Sequence, residues 1–423
     1  MADVVVLGAG LGGLGAAFEM RSALGREHRV TVVNAVDTFR FTPSNPWVAV
    51  GWRKPGQVTV PLERVLRRRG IELRVGEAAE IRPGAREIGM GDGSTIHYDA
   101  LVVATGPKLS FDEVSGLGPA GFTESICTLE HAERARARYR ELTESPGPIV
   151  VGAAQGASCF GPAYEFAMIL DTDLRRRRIR HKVPMTFVTS EPYIGHLGLG
   201  GVGDSKGLLE SKMRERDITW ISNAKIKEVK EGEIAVVEHG PGGEPLREHV
   251  LPFKLGMILP SFKGVDAVAK AGEICNPRGF LVVDSHQRNP KHPSIFGVGV
   301  CVAIAPPEPT PVPTGVPKTG YMIESMVSAA VANVKEELAG GRAEHTATWN
   351  AVCLADFGDT GMAFVALPQI PPRNVTWTKE GRWVHLAKVA FERYYLRKMR
   401  SGSAEPVFEK YALRALGIKR LSA

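Results

Sequence analysis

The apolar run Val4-Val5-Val6-Leu7 breaks into Gly8-Ala9-Gly10-Leu11-Gly12-Gly13 and continues as a stretch of small residues that reads as a helix over 14–24. A strand, a tight glycine turn and a helix N-terminus, in that order, constrain this chain more than any other feature. The turn aims backbone N–H groups and the positive end of the helix dipole at one spot, and the missing side chains let the backbone approach whatever binds there. The pattern predicts a parallel α/β unit holding a dinucleotide pyrophosphate at Gly8, Ala9, Gly10, Gly12 and Gly13. About 20 residues on, where such a unit places an acidic ribose ligand, the second strand, 29–33, runs into Asn34-Ala35. Asparagine can still hydrogen-bond a ribose hydroxyl, so binding survives while the identity of the dinucleotide is left open.

A second strand, turn and helix start follow at Pro148-Ile-Val-Val-Gly152-Ala-Ala-Gln-Gly156-Ala-Ser-Cys159. This turn is altered and carries a cysteine where a second nucleotide would lie, which reads as a unit reassigned to thiol chemistry. Between the two, Tyr98 to Val103 is a buried strand ending in the tight turn Ala104-Thr105-Gly106-Pro107, and a later strand spans 294–301 with Gly299. The run from Pro306 to Pro317 is a stiff loop poor in N–H donors. It leads through Lys318-Thr319-Gly320 into an apolar helix over 322–334. The expected fold class is α/β: residues 1–110 and about 280–345 as one Rossmann-like dinucleotide-binding domain, 111–279 as a second, carrying Cys127 and Cys159, and 346–423 as a C-terminal region with Cys353 and amphipathic membrane-attachment helices.

The chain has 423 residues, more than one ordinary domain, and its 43% hydrophobic and 23% charged content is that of a folded globular protein. Five cysteines without any CxxC disfavour a disulfide scaffold, a zinc site and attached haem. The start MADVVVLG enters a strand at once, so no cleavable secretion signal is expected, and no apolar run of about 18 residues marks a transmembrane helix. A net charge of +7 admits nucleic acid or an anionic membrane surface as partner. Its distribution favours the membrane: Arg67 to Arg69 and Arg175 to Arg178 read as helix ends, where cations complement the dipole. From Arg382 to Arg400 aromatic and basic residues alternate at helical spacing, so that Trp383, Leu386, Ala390, Phe391 and Tyr394 can share one face, and a second such piece spans 407–421. A docked terminal helix and an in-plane membrane anchor both satisfy that pattern.

The blocks FTPSNPWVAVGW, SICTLEHAERA, GASCFGPAYEF, TSEPYIGHLGLGGVGDSKG, PVPTGVPKTGYMIESMVSAAV, WNAVCLADFGDTG and GRWVHLAKVAFERYY resemble, in order and over nearly the whole chain, the bacterial sulfide:quinone oxidoreductase family. The resemblance implies FAD, a C-terminal membrane-attachment region and electron transfer from hydrogen sulfide to a membrane quinone. It makes Cys159 and Cys353 the redox pair and Cys127 the third cysteine, assisting sulfur-chain growth or carrying a flavin linkage. His131 and His196 match proton-handling positions, a role suited to histidine near neutral pH. Glu165, beyond Cys159 on its helix, is a candidate acid or base. Thr42, Asn45 and Gly299 join the glycine turn as cofactor contacts, and Lys318, Gly320 and Lys388 approach the flavin, the lysines as cationic partners of its reduced form. The strand 294–301 resembles the family's second flavin motif without its usual aspartate. Phe357, Phe391 and Tyr394 are candidates to line an apolar quinone cavity. Cys275 and Cys301 have no match and are expected to be small buried groups.

Two other activities share this outline. The flavin subunit of a flavocytochrome c-type sulfide dehydrogenase would be exported, and an NADH:quinone oxidoreductase would need an intact second fingerprint where Cys159 stands. A peripheral place on the cell membrane is expected, and a homo-oligomer is compatible with the sequence, which does not specify it.

Overall fold

The computed structural model describes residues 1–404 and the backbone of 421–422, so most of the amphipathic piece at 407–421 lies outside the described residues. The helices, in chain order, are α1 (Leu11–Leu24), α2 (Asn45–Ala49), α3 (Leu62–Arg69), α4 (Leu129–Glu144), α5 (Gly161–Arg176), α6 (Ser205–Glu215), α7 (Asp266–Ala269), α8 (Gly320–Leu338) and α9 (Arg382–Ser401). The first begins at Leu11, ahead of the Leu14 expected from the small-residue run.

One parallel sheet has the strand order 295–297, 100–103, 3–7, 29–34, 72–75. Val4, Val5 and Val6 are all buried, as expected for a central parallel strand covered on both faces, where apolar residues run on instead of alternating. On one face α1 lies against α8. Small residues permit that approach: a Cβ on Gly12 would come within 3.1 Å of Ile323 of α8, and one on Gly13 would sit 1.9 Å from the Gly8 carbonyl oxygen.

A second parallel sheet has the order 218–221, 185–189, 149–153, 255–259. Its helix α5 is buried continuously from Ala163 to Leu174. Arg175 pairs with Asp171 at 2.9 Å and Arg177 with Asp173 at 2.5 Å. Both basic clusters do fall at helix ends, and α3 stops where Gly70, at φ +67°, turns its N–H back to Leu66 and Arg67. A third, antiparallel sheet of strands 351–356, 361–367 and 375–380 carries Cys353 and packs against α9 and α5. No helix among the described residues is long and apolar enough to cross a membrane.

Candidate active site

The glycines of the first turn divide into two kinds. Gly8, at φ +106°, and Gly13 are forced by packing, since a Cβ on Gly8 would lie 2.4 Å from the Ala104 carbonyl oxygen. Gly10 and Gly106 are open: a Cβ on either would meet nothing within 4 Å, and one on Gly299 only Ile323 at 3.8 Å. No side chain caps the N-terminus of α1 and no acid stands in its first turn, so its N–H groups and dipole face a cradle that fits a pyrophosphate. Asn34 is turned back onto this loop. Its Oδ1 accepts the Ala9 N–H at 2.9 Å and its Nδ2 donates to Val36 O at 2.7 Å, so it braces the turn. Ala35 and Thr42 are exposed. Asn45 is buried and donates to Ile126 O at 2.9 Å, beside Cys127. Thr105 and Pro107 flank Gly106, with Thr105 Oγ1 bonded to the Gly106 carbonyl at 3.1 Å. Gly320 is exposed at the start of α8.

Cys127 precedes α4, Cys159 precedes α5 and Cys353 lies in the strand 351–356; all three are half-buried free thiols. The fold brings them together, for Cys159 interacts electrostatically with Cys353, Cys127, Glu165 and Lys318. Burial pushes the Cys159 thiol up to about 12 and that of Cys127 up to about 11, and it raises Cys353 as well. Against this, Cys159 feels the ammonium of Lys318 and Cys353 that of Lys388. Each thiolate, when it forms, therefore has its own cation. Lys318 is pulled down to about 8 by desolvation, with Cys301 and Cys159 opposing. Cys301 is 2% exposed with its sulfur 3.2 Å from Val298 O, a buried small group as expected. Cys275 differs: it is half-buried, its thiol directed at Gly272 O at 3.4 Å.

The C-terminal helix closes the site. Lys388, on the inner side of α9, is ion-paired with Glu165 of α5. Burial pushes Glu165 up to about 7, opposed by Lys388 and reinforced by Asp356. One turn along, Glu392 takes Arg53 at 2.8 Å and Ser44 at 2.7 Å. On the outer side Trp383 and Leu386 are 47% and 66% exposed, with Ala390, Arg382, Arg393 and Arg397 exposed around them. The single apolar face expected from spacing is split. Phe391 and Tyr394 are half-buried against the core, Phe391 with its ring 6.1 Å from Phe41, because at 3.6 residues per turn Phe391 rotates away from Leu386. Phe357 is fully enclosed; its carbonyl accepts from Thr172 of α5 at 2.6 Å and Arg216 lies 6.0 Å from its ring.

Both histidines are desolvated, which lowers each from its ordinary value. The His131 backbone N–H donates to Thr128 Oγ1 at 3.2 Å, the N-cap of α4, and its ring meets Phe111 edge-on at 5.8 Å. His196 accepts the Gly198 N–H on Nδ1 at 3.2 Å, which leaves the proton on Nε2, 3.1 Å from Glu308. Sequence reasoning passed over Asp356, His385, Trp47 and Glu191, all of which stand inside the seven blocks. The i, i+3 spacing of His385 and Lys388 on one helix was the available signal.

Two parallel nucleotide-type sheets with a thiol cluster at the second glycine turn define a two-domain disulfide oxidoreductase. The chain belongs to the pyridine nucleotide-disulphide oxidoreductase family, which its residues 2–322 match. It is 43% identical to the sulfide-quinone reductase of Aquifex aeolicus over 97% of this chain and 94% of that one. The X-ray structure of the sulfide:quinone oxidoreductase from that bacterium superposes with a TM-score of 0.95 at 42% identity, covering 100% of this chain and 97% of the other. The mitochondrial sulfide:quinone oxidoreductase of Mus musculus is 26% identical over 71% of this chain and 65% of its own.

Proposed function

We propose that this chain is a FAD-dependent sulfide:quinone oxidoreductase, oxidising hydrogen sulfide to zero-valent sulfur or polysulfide at a Cys159–Cys353 disulfide and reducing a membrane quinone. The observation that carries this reading is the convergence of Cys159, Cys353 and Cys127 on the second glycine turn, with Lys318 and Lys388 each beside one cysteine of the pair. The likeness to a sulfide-quinone reductase over nearly the whole chain supports the two substrates.

Hydrosulfide attacks one sulfur of the disulfide; the S–S bond breaks, the attacked cysteine becomes a persulfide and the other leaves as a thiolate. Lys318 or Lys388 faces the sulfur on which that charge appears, and compensates it where burial otherwise penalises it. Glu165, near both cysteines, takes the proton lost from sulfur. Cys127 is close enough to Cys159 to serve growth or release of the sulfur chain. FAD, when bound, supplies a two-electron acceptor that can hand its electrons on to quinone. Phe391 and Tyr394 flank the quinone's approach from α9, and His131 and His196 serve proton movement.

Membrane attachment is peripheral in this reading. Trp383, Leu386 and Ala390 enter the headgroup boundary while Arg382, Arg393 and Arg397 meet lipid phosphates. An NADH-dependent activity is disfavoured by Glu191, just past the strand 185–189, where a second dinucleotide would find its ribose ligand. Its carboxylate is fully buried and accepts from Tyr164 at 2.6 Å, Thr189 at 2.7 Å and the Leu197 N–H at 2.6 Å. Steady-state assay of detergent-solubilised protein tests the function: quinone reduction that depends on sulfide supports it, and none with sulfide but full activity with NADH overturns it.

A further inference from the structure

Behind Cys353 the strand 351–356 ends in Asp356, whose side chain is fully buried. One carboxylate oxygen takes the Trp47 indole N–H at 2.7 Å; the other meets His385 Nδ1 at 2.7 Å and the Gly358 N–H at 3.0 Å. The Asp356 backbone favours the ionised form of Glu165 while the Asp356 charge opposes it, and Glu165 is paired with Lys388, one turn beyond His385 on α9. Lys388 lies 5.7 Å from the centre of the Trp47 ring, so the same indole touches both halves of the cluster. His385 keeps 29% of its side chain exposed, against 7% for Glu165 and 9% for Lys388.

The groups facing this space are Cys159 in the turn before α5, Glu165 on α5, Asp356 and Cys353 on the strand, His385, Lys388 and Glu392 on α9, and Arg53 beyond α2. Arg53 is held by Glu392 and that pair adds no net charge. With Cys353 protonated, Glu165, Asp356 and Lys388 sum to one uncompensated negative charge, which a buried site holds only at a cost. A proton on His385 or on Glu165 removes it.

We infer that His385, acting through Asp356, is a positioning residue that sets how readily Glu165 takes a proton from sulfur at Cys353, and is the point where the cluster returns that proton to water. With His385 protonated, Asp356 is compensated and Glu165 stands ionised beside Lys388, ready to accept. When the S–H bond breaks and its proton moves to a Glu165 oxygen, the electron pair stays on sulfur and the cluster holds one proton too many; His385, at the surface, releases its N–H proton to solvent. The inference rests on the reading of Glu165 as the proton acceptor.

Stopped-flow reduction of the flavin by sulfide, at fixed hydrosulfide concentration across pH 5–9 (roughly the window in which histidine and a raised carboxyl titrate), tests it on the FAD-bound protein. His385→Gln leaves the Asp356 charge acting alone on Glu165 and moves the acid limb to higher pH, by about one unit for a charge at this range. Asp356→Asn removes that charge and moves the limb to lower pH. Rates of iodoacetamide alkylation of Cys353 in a Cys159→Ala background give a readout free of turnover and are expected to shift their pH midpoints in the same two directions. Midpoints that stay put, or that move the same way in both variants, overturn the inference; should Asp356→Asn not fold, the direction in His385→Gln alone decides. Glu165→Gln separates this from the underlying reading: a wild-type acid limb in that variant removes Glu165 as acceptor, whereas loss of the limb there with none of the opposed shifts defeats only the role of His385.

Discussion

The ammonium of Lys388, on α9, meets the carboxylate of Glu165, on the helix that follows Cys159, across 223 residues of sequence. Both side chains are buried, so the pair ties the C-terminal helix to the thiol site and leaves neither charge alone. A buried pair of this kind contributes little relative to an apolar replacement, but breaking one side of it is expensive. Lys388→Met is expected to destabilise the protein by about 3–5 kcal/mol, and Lys388→Met with Glu165→Gln by clearly less. Urea unfolding of the FAD-bound proteins measures both; equal losses in the single and double variants would show that the charges are not coupled.

The cysteines are predicted to act as a pair. Cys159→Ala or Cys353→Ala abolishes flavin reduction by sulfide while FAD stays bound, because the cradle at Gly10 and Gly106 is untouched. Cys275→Ala leaves the rate near wild type, its thiol being occupied with the turn at Gly272. Flavin absorbance before and after anaerobic sulfide addition reads both properties, and wild-type bleaching in either pair variant removes it from the mechanism.

Stability should carry a signature of Glu191. Burial pushes its carboxyl up to about 7 from 4.5, against the hydrogen bonds from Tyr164, Leu197 and Thr189. Between those values the native state binds the proton that the unfolded state has released, so the stability present below about pH 4.5 is lost as pH rises through about 7, by up to about 3 kcal/mol. Glu191→Gln cannot titrate and is expected to flatten this slope. Urea midpoints at pH 5 and pH 8 for both proteins provide the check, and parallel pH dependences in the two would contradict it.

Much of this architecture was legible because glycine patterns and buried apolar runs are local. The turn at Gly8, the strands 3–7 and 149–153 and the placement of Cys159 before α5 all follow from neighbours in sequence. What escaped was set by tertiary contact. The bonds by which Asn34 Oδ1 accepts the Ala9 N–H and its Nδ2 donates to Val36 O follow from the folded turn and not from its place at the end of a strand. Phe391 and Tyr394 read as one face with Trp383 until Phe41 drew Phe391 inward. Asp356, His385 and Trp47 come from three distant segments, and no spacing rule joins them.

The outer side of α9 is predicted to bind lipid. Trp383→Ala combined with Leu386→Asp removes the most exposed apolar groups and is expected to release the protein from anionic vesicles, whereas high salt alone detaches the wild type only in part, since apolar burial is not screened. Vesicle flotation distinguishes them; equal flotation of variant and wild type would place attachment elsewhere.

The central claim is that electrons enter at the cysteines and not from a nicotinamide. Anaerobic stopped-flow mixing of the FAD-bound protein with sulfide or with NADH tests it most directly. Rapid bleaching of the flavin by sulfide, lost in Cys159→Ala, with no bleaching by NADH, is the predicted result. Bleaching by NADH, or bleaching by sulfide that survives in Cys159→Ala, would contradict it.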